Sequence, residues 1–260
     1  MRGSTRRWTA FCLTAVLAAT LSACNSGGAG SPSNVMPQGG VPQFAPAARE
    51  LSDAIAPNAL SPVKIYPGEV VGTDDMFKPG DGDAKDGGRG QKVGKIPCLP
   101  TEYLTDYHVH AYLGLVVNGK QVAIPDSIGL KKPGPESNGY ISTAVCFYYI
   151  HTHDASGMIH IEDPKALAPS ATVYTLADFL HIWGVGVSKY GVGKFHGHVH
   201  VFIGNVPALG QTTVKKYAAF TDVANVDTIP LKSHEAIWIE VGKSYFTAKQ
   251  LPSVNFYTEY

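Results

Sequence analysis

Histidine is the residue type with the most chemical promise in this chain. Of ten histidines in 260 residues, eight gather in three places: His108/His110, His151/His153 with His160 close behind, and the run His196/His198/His200. In a β-strand, residues i and i+2 point to the same face, so each pair or run would set imidazoles side by side. Neutral imidazole is the commonest protein ligand for zinc and copper. These eight side chains are therefore the candidate metal ligands. Asp154 joins the middle group, and Asp154 and Glu162 are the nearby acids that a metal-dependent hydrolase would use as a base.

The middle group is the densest, and its geometry depends on one turn. With a two-residue loop at Ala155-Ser156, His151 pairs across from His160 and three imidazoles share a face. With a three-residue loop that places Gly157 in the left-handed region, the register moves by one and His160 turns away. A glycine after a polar turn favours the second register.

Known metal-site patterns fit only in fragments. Asp106-x-His108-x-His110 is similar to the first metal motif of amidohydrolases, but the repeated βα pattern of their barrel is missing. His151-Thr152-His153-Asp154 is similar to the metallo-β-lactamase zinc motif, with Asp one place early and the next His missing. Phe195-His196-Gly197-His198-Val199-His200 is similar to the copper strand of Cu,Zn superoxide dismutase, without that family's other ligand motifs. The cupin pattern fails for want of a Glu after His110, and no Gly-x-Ser-x-Gly elbow is present. The expectation is a protein that is not an enzyme, with a metal-dependent hydrolase as the alternative.

The elements that must position these residues are mostly strands. Residues 108 to 124 alternate around Asn118-Gly119, a strong hairpin signal. Residues 146 to 162 read as a second hairpin. Thr175 and Asp178 have the spacing of a helix cap, Leu176, Phe179, Leu180 and Trp183 make one apolar face, and Gly184 suits the end. Residues 198 to 203 and 236 to 241 read as further strands. The expected fold is α+β, predominantly antiparallel β with one short helix. Hairpin, crossing helix and returning strands resemble the β-grasp arrangement, with Thr228–Gly242 as its closing strand pair; the alternative is a β-sandwich.

The N-terminus reads as an export and anchoring signal. Arg2, Arg6 and Arg7 precede an apolar stretch too short for a comfortable membrane span, and Leu21-Ser22-Ala23-Cys24 resembles the bacterial lipobox. The expected organisation is a lipoprotein signal peptide over 1–23, a lipid-anchored flexible tether and Gly-rich loop over 24–95, and a globular β-rich domain over 96–260. Cys24 is the expected lipidation site. The Asn25 that follows it favours the outer membrane over the inner. Asp81, Asp83 and Asp86 fail the EF-hand pattern, because Lys85 and Asp86 stand at its fifth and sixth positions. Of the remaining cysteines, Cys98 and Cys146 make an even pair, most simply a disulfide in an oxidising compartment; the alternative is two thiols, one of them a metal ligand.

Composition narrows the partners. There are 21 Lys+Arg against 21 Asp+Glu, so the formal net charge is zero and there is no electrostatic footprint for nucleic acid. The expected partners are the membrane, through the N-terminal lipid, and a protein or glycan that the sequence does not name.

Taken together, several motifs resemble a little-characterised group of bacterial exported proteins. They are Cys98, His108-Val109-His110-Ala111-x-Leu113, Val117-Asn118-Gly119-Lys120, Ile124-Pro125-x-x-Ile128-Gly129, His151-Thr152-His153-Asp154-x-Ser156-Gly157-x-Ile159-His160-Ile161-Glu162, Thr175-Leu176-x-x-Phe179 with Trp183-Gly184, and Leu231-x-x-His234-Glu235-x-Ile237 with Gly242. The resemblance runs from about 98 to 256 and implies a fold and a compartment but no reaction. His196-Gly197-His198-Val199-His200 stands outside the shared pattern. Two functions remain: an envelope domain that binds zinc or copper through its His-x-His pairs, and a structural or interaction lipoprotein without metal. Only four Met argue against a Met-rich Cu(I) carrier.

Overall fold

A computed structural model describes residues 59–73, 88–102, 107–164, 173–208, 210–244 and 246–256. The expected signal segment over 1–23, Cys24, Asp81, Asp83, Asp86 and Asp106 lie outside the described residues.

Strands dominate. The first half holds β1 (Val63–Ile65), β2 (Cys98–Leu99), β3 (His108–Val117), β4 (Lys120–Val122), β5 (Leu130–Lys131), β6 (Cys146–Tyr148), β7 (Ile150–His151) and β8 (Met158–Glu162). The helix α1 (Leu176–Trp183) follows. The second half holds β9 (Val187–Ser188), β10 (Gly191–Val192), β11 (Phe195–His196), β12 (Val199–Asn205), β13 (Thr213–Val214), β14 (Ala218–Phe220), a 3₁₀ turn at Val223–Thr228, β15 (Glu235–Val241) and β16 (Val254–Phe256). This is the β-rich α+β class expected from the sequence.

Local chemistry explains the boundaries. Asn118 (φ 49°) and Gly119 (φ 79°) make the tight turn between β3 and β4, both in the left-handed region that a hairpin of this hand needs. At α1, the Asp178 carboxylate accepts the Thr175 backbone N–H at 2.9 Å, which satisfies a donor the helix leaves open. Gly184 closes the helix, donating its N–H to the Leu180 carbonyl.

The main sheet runs β14-β12-β15-β3-β8-β7, with β4 sharing the β8 edge of β3. Its centre is a parallel pair, β3 with β15, and every other pairing in it is antiparallel. Both faces of this sheet are covered. On one face, α1 packs Leu176, Phe179 and Trp183 against Leu113, Leu115, Ile159 and Ile237. On the other, Tyr112, Met158 and Trp238 meet Val63, Ile65, Val254 and Phe256 of the small sheet β1-β16-β13. Two-sided burial explains why β3, β8 and β15 read as nearly continuous apolar or aromatic runs.

Two sequence expectations need correction. The folded part begins before Ile96, because Val63–Ile65 pairs in parallel with Val254–Phe256 and is buried in the second core. Thr228–Gly242 is not a strand pair. Only Glu235–Val241 is extended, and Pro230 bridges to Thr175 ahead of the helix.

Candidate metal centre

Three neighbouring strands converge at one end of the sheet. β8 lies between β3 and β7, and its His160 faces His110 on one side and His151 on the other; Glu162 faces His108. The residues of β8 that carry donors, His160 and Glu162, are i and i+2 and therefore share a face. His110, His151, His153, His160 and Glu162 are each 1–3% exposed.

The register that unites them is the one the turn chemistry disfavoured. His151 does pair with His160, although Gly157 takes a left-handed φ of 87°. The reason lies outside the hairpin. Pairing between β7 and β8 stops at His151, and the backbone of residues 152–157 is tied to other segments. Thr152 N–H donates to the Ile128 carbonyl, Ile141 N–H donates to the His153 carbonyl, and Leu113 N–H donates to the Gly157 carbonyl. Rules for a tight hairpin do not apply to a loop held from three sides.

Hydrogen bonding fixes the tautomers of two of these histidines. The Nδ1 of His151 lies 2.8 Å from the Tyr148 carbonyl, and the Nδ1 of His153 lies 2.6 Å from the Ile141 carbonyl. A carbonyl can only accept, so both Nδ1 atoms carry the proton and both neutral rings present a bare Nε2. Those two Nε2 atoms face each other at 3.0 Å. Two lone pairs at that distance repel unless a cation lies between them. Protonation is opposed by the surroundings. Burial pushes His153 down to about 4 and His151 well below the ordinary imidazole value, and neighbouring imidazoles add to both. Burial acts the same way on His110, pushed down to about 3, and on His160.

The remaining spacings match a metal's coordination sphere. Glu162 Oε1 lies 3.3 Å from His108 Nε2, 3.7 Å from His151 Nε2 and 3.8 Å from His160 Nδ1. Ligand atoms on a tetrahedral ion with bonds of about 2.0–2.1 Å are about 3.3 Å apart. His151, His153, His160 and Glu162 form one set whose donor atoms all lie within 4.8 Å of one another, and His108, His110 and His160 form another. The buried His/Glu cluster could thus hold a metal ion, and its residues fit one. The imidazole and carboxylate donors exclude a calcium or magnesium cage, which is built from oxygen.

Other predicted residues lie elsewhere. Asp154 is buried but not aimed at the cluster: its carboxylate accepts the Ser156 hydroxyl, the Ser156 N–H and the Gly68 N–H. His196, His198 and His200 are not brought together with any metal set among the described residues. His196 belongs to β11 and His200 to β12, and Gly197 (φ 150°) breaks the strand between them. A Cβ there would sit 2.6 Å from the Gly242 Cα. The i, i+2 rule therefore fails at the first step of the run.

Cys98 and Cys146 form a disulfide, with Cα atoms 5.4 Å apart. The alternative of a thiolate ligand is closed. The bridge joins β2 to β6, whose Tyr148 carbonyl orients His151. The same limb carries Glu102, a residue that sequence reasoning missed. Its Oε1 lies 3.5 Å from His153 Nε2, and burial raises its carboxyl to about 7. No local motif marks it. By sequence, Glu162 is marked only as a nearby base; its i+2 spacing from His160 is the signal that would place it among the candidate donors. No protein-family model, curated protein or solved structure matches the chain.

Proposed function

We propose that this protein is an exported, lipid-anchored envelope protein whose folded domain holds a transition-metal ion, zinc or copper, without turning over a substrate. The observation that carries the metal reading is the pair of bare Nε2 atoms of His151 and His153 at 3.0 Å, each fixed by a carbonyl behind it. His160 and Glu162 complete the donor set. An all nitrogen and oxygen set suits zinc and copper(II) better than copper(I).

Burial supports a holding role over catalysis. A catalytic metal keeps a coordination position open to substrate. The surface clefts lined by residues such as Asn205 and Lys215, by Tyr66 and Val70, or by His181 and Gly184 contain none of the clustered histidines. Export is supported by the basic and apolar N-terminus ending in Leu-Ser-Ala-Cys24, and by the Cys98–Cys146 bridge, which suits an oxidising compartment. Outer-membrane placement rests on Asn25 alone. The neutral charge supports partners other than nucleic acid.

Native mass spectrometry of residues 25–260, exported to the periplasm and purified without chelator or affinity tag, tests this. The expected result is a zinc or copper adduct in stoichiometric amount, diminished in H151A/H153A while the disulfide and circular dichroism remain. An apo mass that does not change on adding Zn²⁺ or Cu²⁺ overturns the metal reading and leaves a structural or interaction lipoprotein.

A further inference from the structure

The donors are too many and too spread for one ion. All ligand atoms of a single ion with bonds of about 2.1 Å lie within about 4.2 Å of one another, twice the bond length. The six side chains do not form one such group. They divide into His151, His153, His160 and Glu162 on one side and His108, His110 and His160 on the other. The division follows the strands: β7 and the loop after it supply the first pair, β3 supplies the second, and β8 between them supplies His160 and Glu162.

The middle strand also has the right reach. Glu162 Oε1 lies 3.7 Å from His151 Nε2 on one side and 3.3 Å from His108 Nε2 on the other. His160 Nδ1 lies 3.2 Å from His108 Nε2. The rings of His110 and His153 stand edge-on to His160 at 4.6 and 4.5 Å between centroids, one on each side of the division. In two-metal sites the ions sit about 3.5–4 Å apart and share ligands. A further carboxylate, Glu102, stands 3.5 Å from His153 Nε2.

We infer that the cluster is a dinuclear centre: one ion on His151 and His153, a second on His108 and His110, with the Glu162 carboxylate of the middle strand shared between them and His160 completing one of the two sites. This inference rests on the metal-binding reading above.

The test is metal stoichiometry of the full chain, exported, extracted in detergent and loaded with Cu²⁺ or Zn²⁺, measured as metal per polypeptide. Two ions per chain are expected in the wild type and one in each of H108A/H110A and H151A/H153A. With Cu²⁺, the wild type should show a magnetically coupled pair by electron paramagnetic resonance, and each double variant an uncoupled signal of one copper. Zero ions in the wild type would overturn the metal-binding reading itself. One ion in a wild type that saturates would overturn only the dinuclear centre, as would two ions without magnetic coupling. If a double variant fails to fold, H108Q/H110Q is the replacement, with the same expected value of one.

Discussion

Two segments of this protein begin almost identically and end up doing different things. His108-Val109-His110 opens β3, and His198-Val199-His200 leads into β12; each is followed by apolar residues and a glycine, and the two strands flank β15 on opposite sides. In β3 the residues beside the histidines are His160 and Glu162 of β8, so the imidazoles meet more donors. In β12 the outer neighbour β14 reaches only Val201–Ile203, and the inner neighbour sets Glu240 opposite His200. The first pair is enclosed, while His198 is exposed and His200 half-buried. A His-x-His pair joins a larger cluster of donors through the strand beside it, and alternation along its own strand is only the entry condition.

The strongest way to test that contrast is acid. The enclosed imidazoles take up protons less readily in the folded protein than in the unfolded chain, where histidine titrates near about 6.5. The folded values lie lower, about 3 for His110 and about 4 for His153, with His151 and His160 also lowered. Between the two values the unfolded state binds more protons, so stability is complete above about pH 6.5 and falls as pH drops below it. Each histidine contributes up to about 1.4 kcal/mol per pH unit in that window. Glu102 and Glu235, both raised to about 7 by burial, work in the opposite direction and offset part of the loss. The metal-free protein, followed by denaturant melts in chelator from pH 7.5 to 4.5, should lose several kcal/mol in total. H196A/H198A/H200A should show the same slope. A flat profile in the wild type, or a slope that disappears in the triple variant, breaks the contrast.

The disulfide sharpens it from the other side, because the bridge belongs to the limb of the enclosed site alone. Cys98 and Cys146 tie β2 to β6, next to the carbonyl that orients His151 and close to Glu102. Closing a loop of this length stabilises by about 4 kcal/mol through the unfolded chain. At about 2–4 °C per kcal/mol for a domain of this size, C98A/C146A should lower the thermal midpoint by about 10 °C. A calorimetric shift under about 2 °C would mean that the limb is held by its packing and not by the bridge.

Much of this architecture is legible in the sequence, and the illegible parts have a common cause. Asn118-Gly119, Thr175 with Asp178, and Gly184 are local signals, and each sits where its chemistry predicts. The eight histidines were readable as candidates, and five of them do converge. What the sequence hides is set by contacts between distant segments. The three residues of β1 find their partner at the other end of the chain. The His151–His160 register is fixed by bonds from residues 113, 128 and 141, which a reading of the hairpin alone does not contain. Glu102 reaches His153 from the end of β2 with no spacing to announce it. Gly197 was visible, but its consequence, a chain that crosses from one sheet to another beside Gly242, was not.

The smallest expected effect is the most pointed. H196A/H198A/H200A removes the longest His-x-His run in the chain. His196 and His198 are exposed, and none of the three belongs to a metal set among the described residues. Surface substitutions away from packing and caps change stability by about 0.5 kcal/mol or less. The triple variant should therefore keep the wild-type thermal midpoint within about 2 °C and the wild-type number of tightly bound metal ions by mass spectrometry. If it loses an ion, the exposed run binds metal in spite of the break at Gly197. Strand neighbours would then not be what separates the two segments.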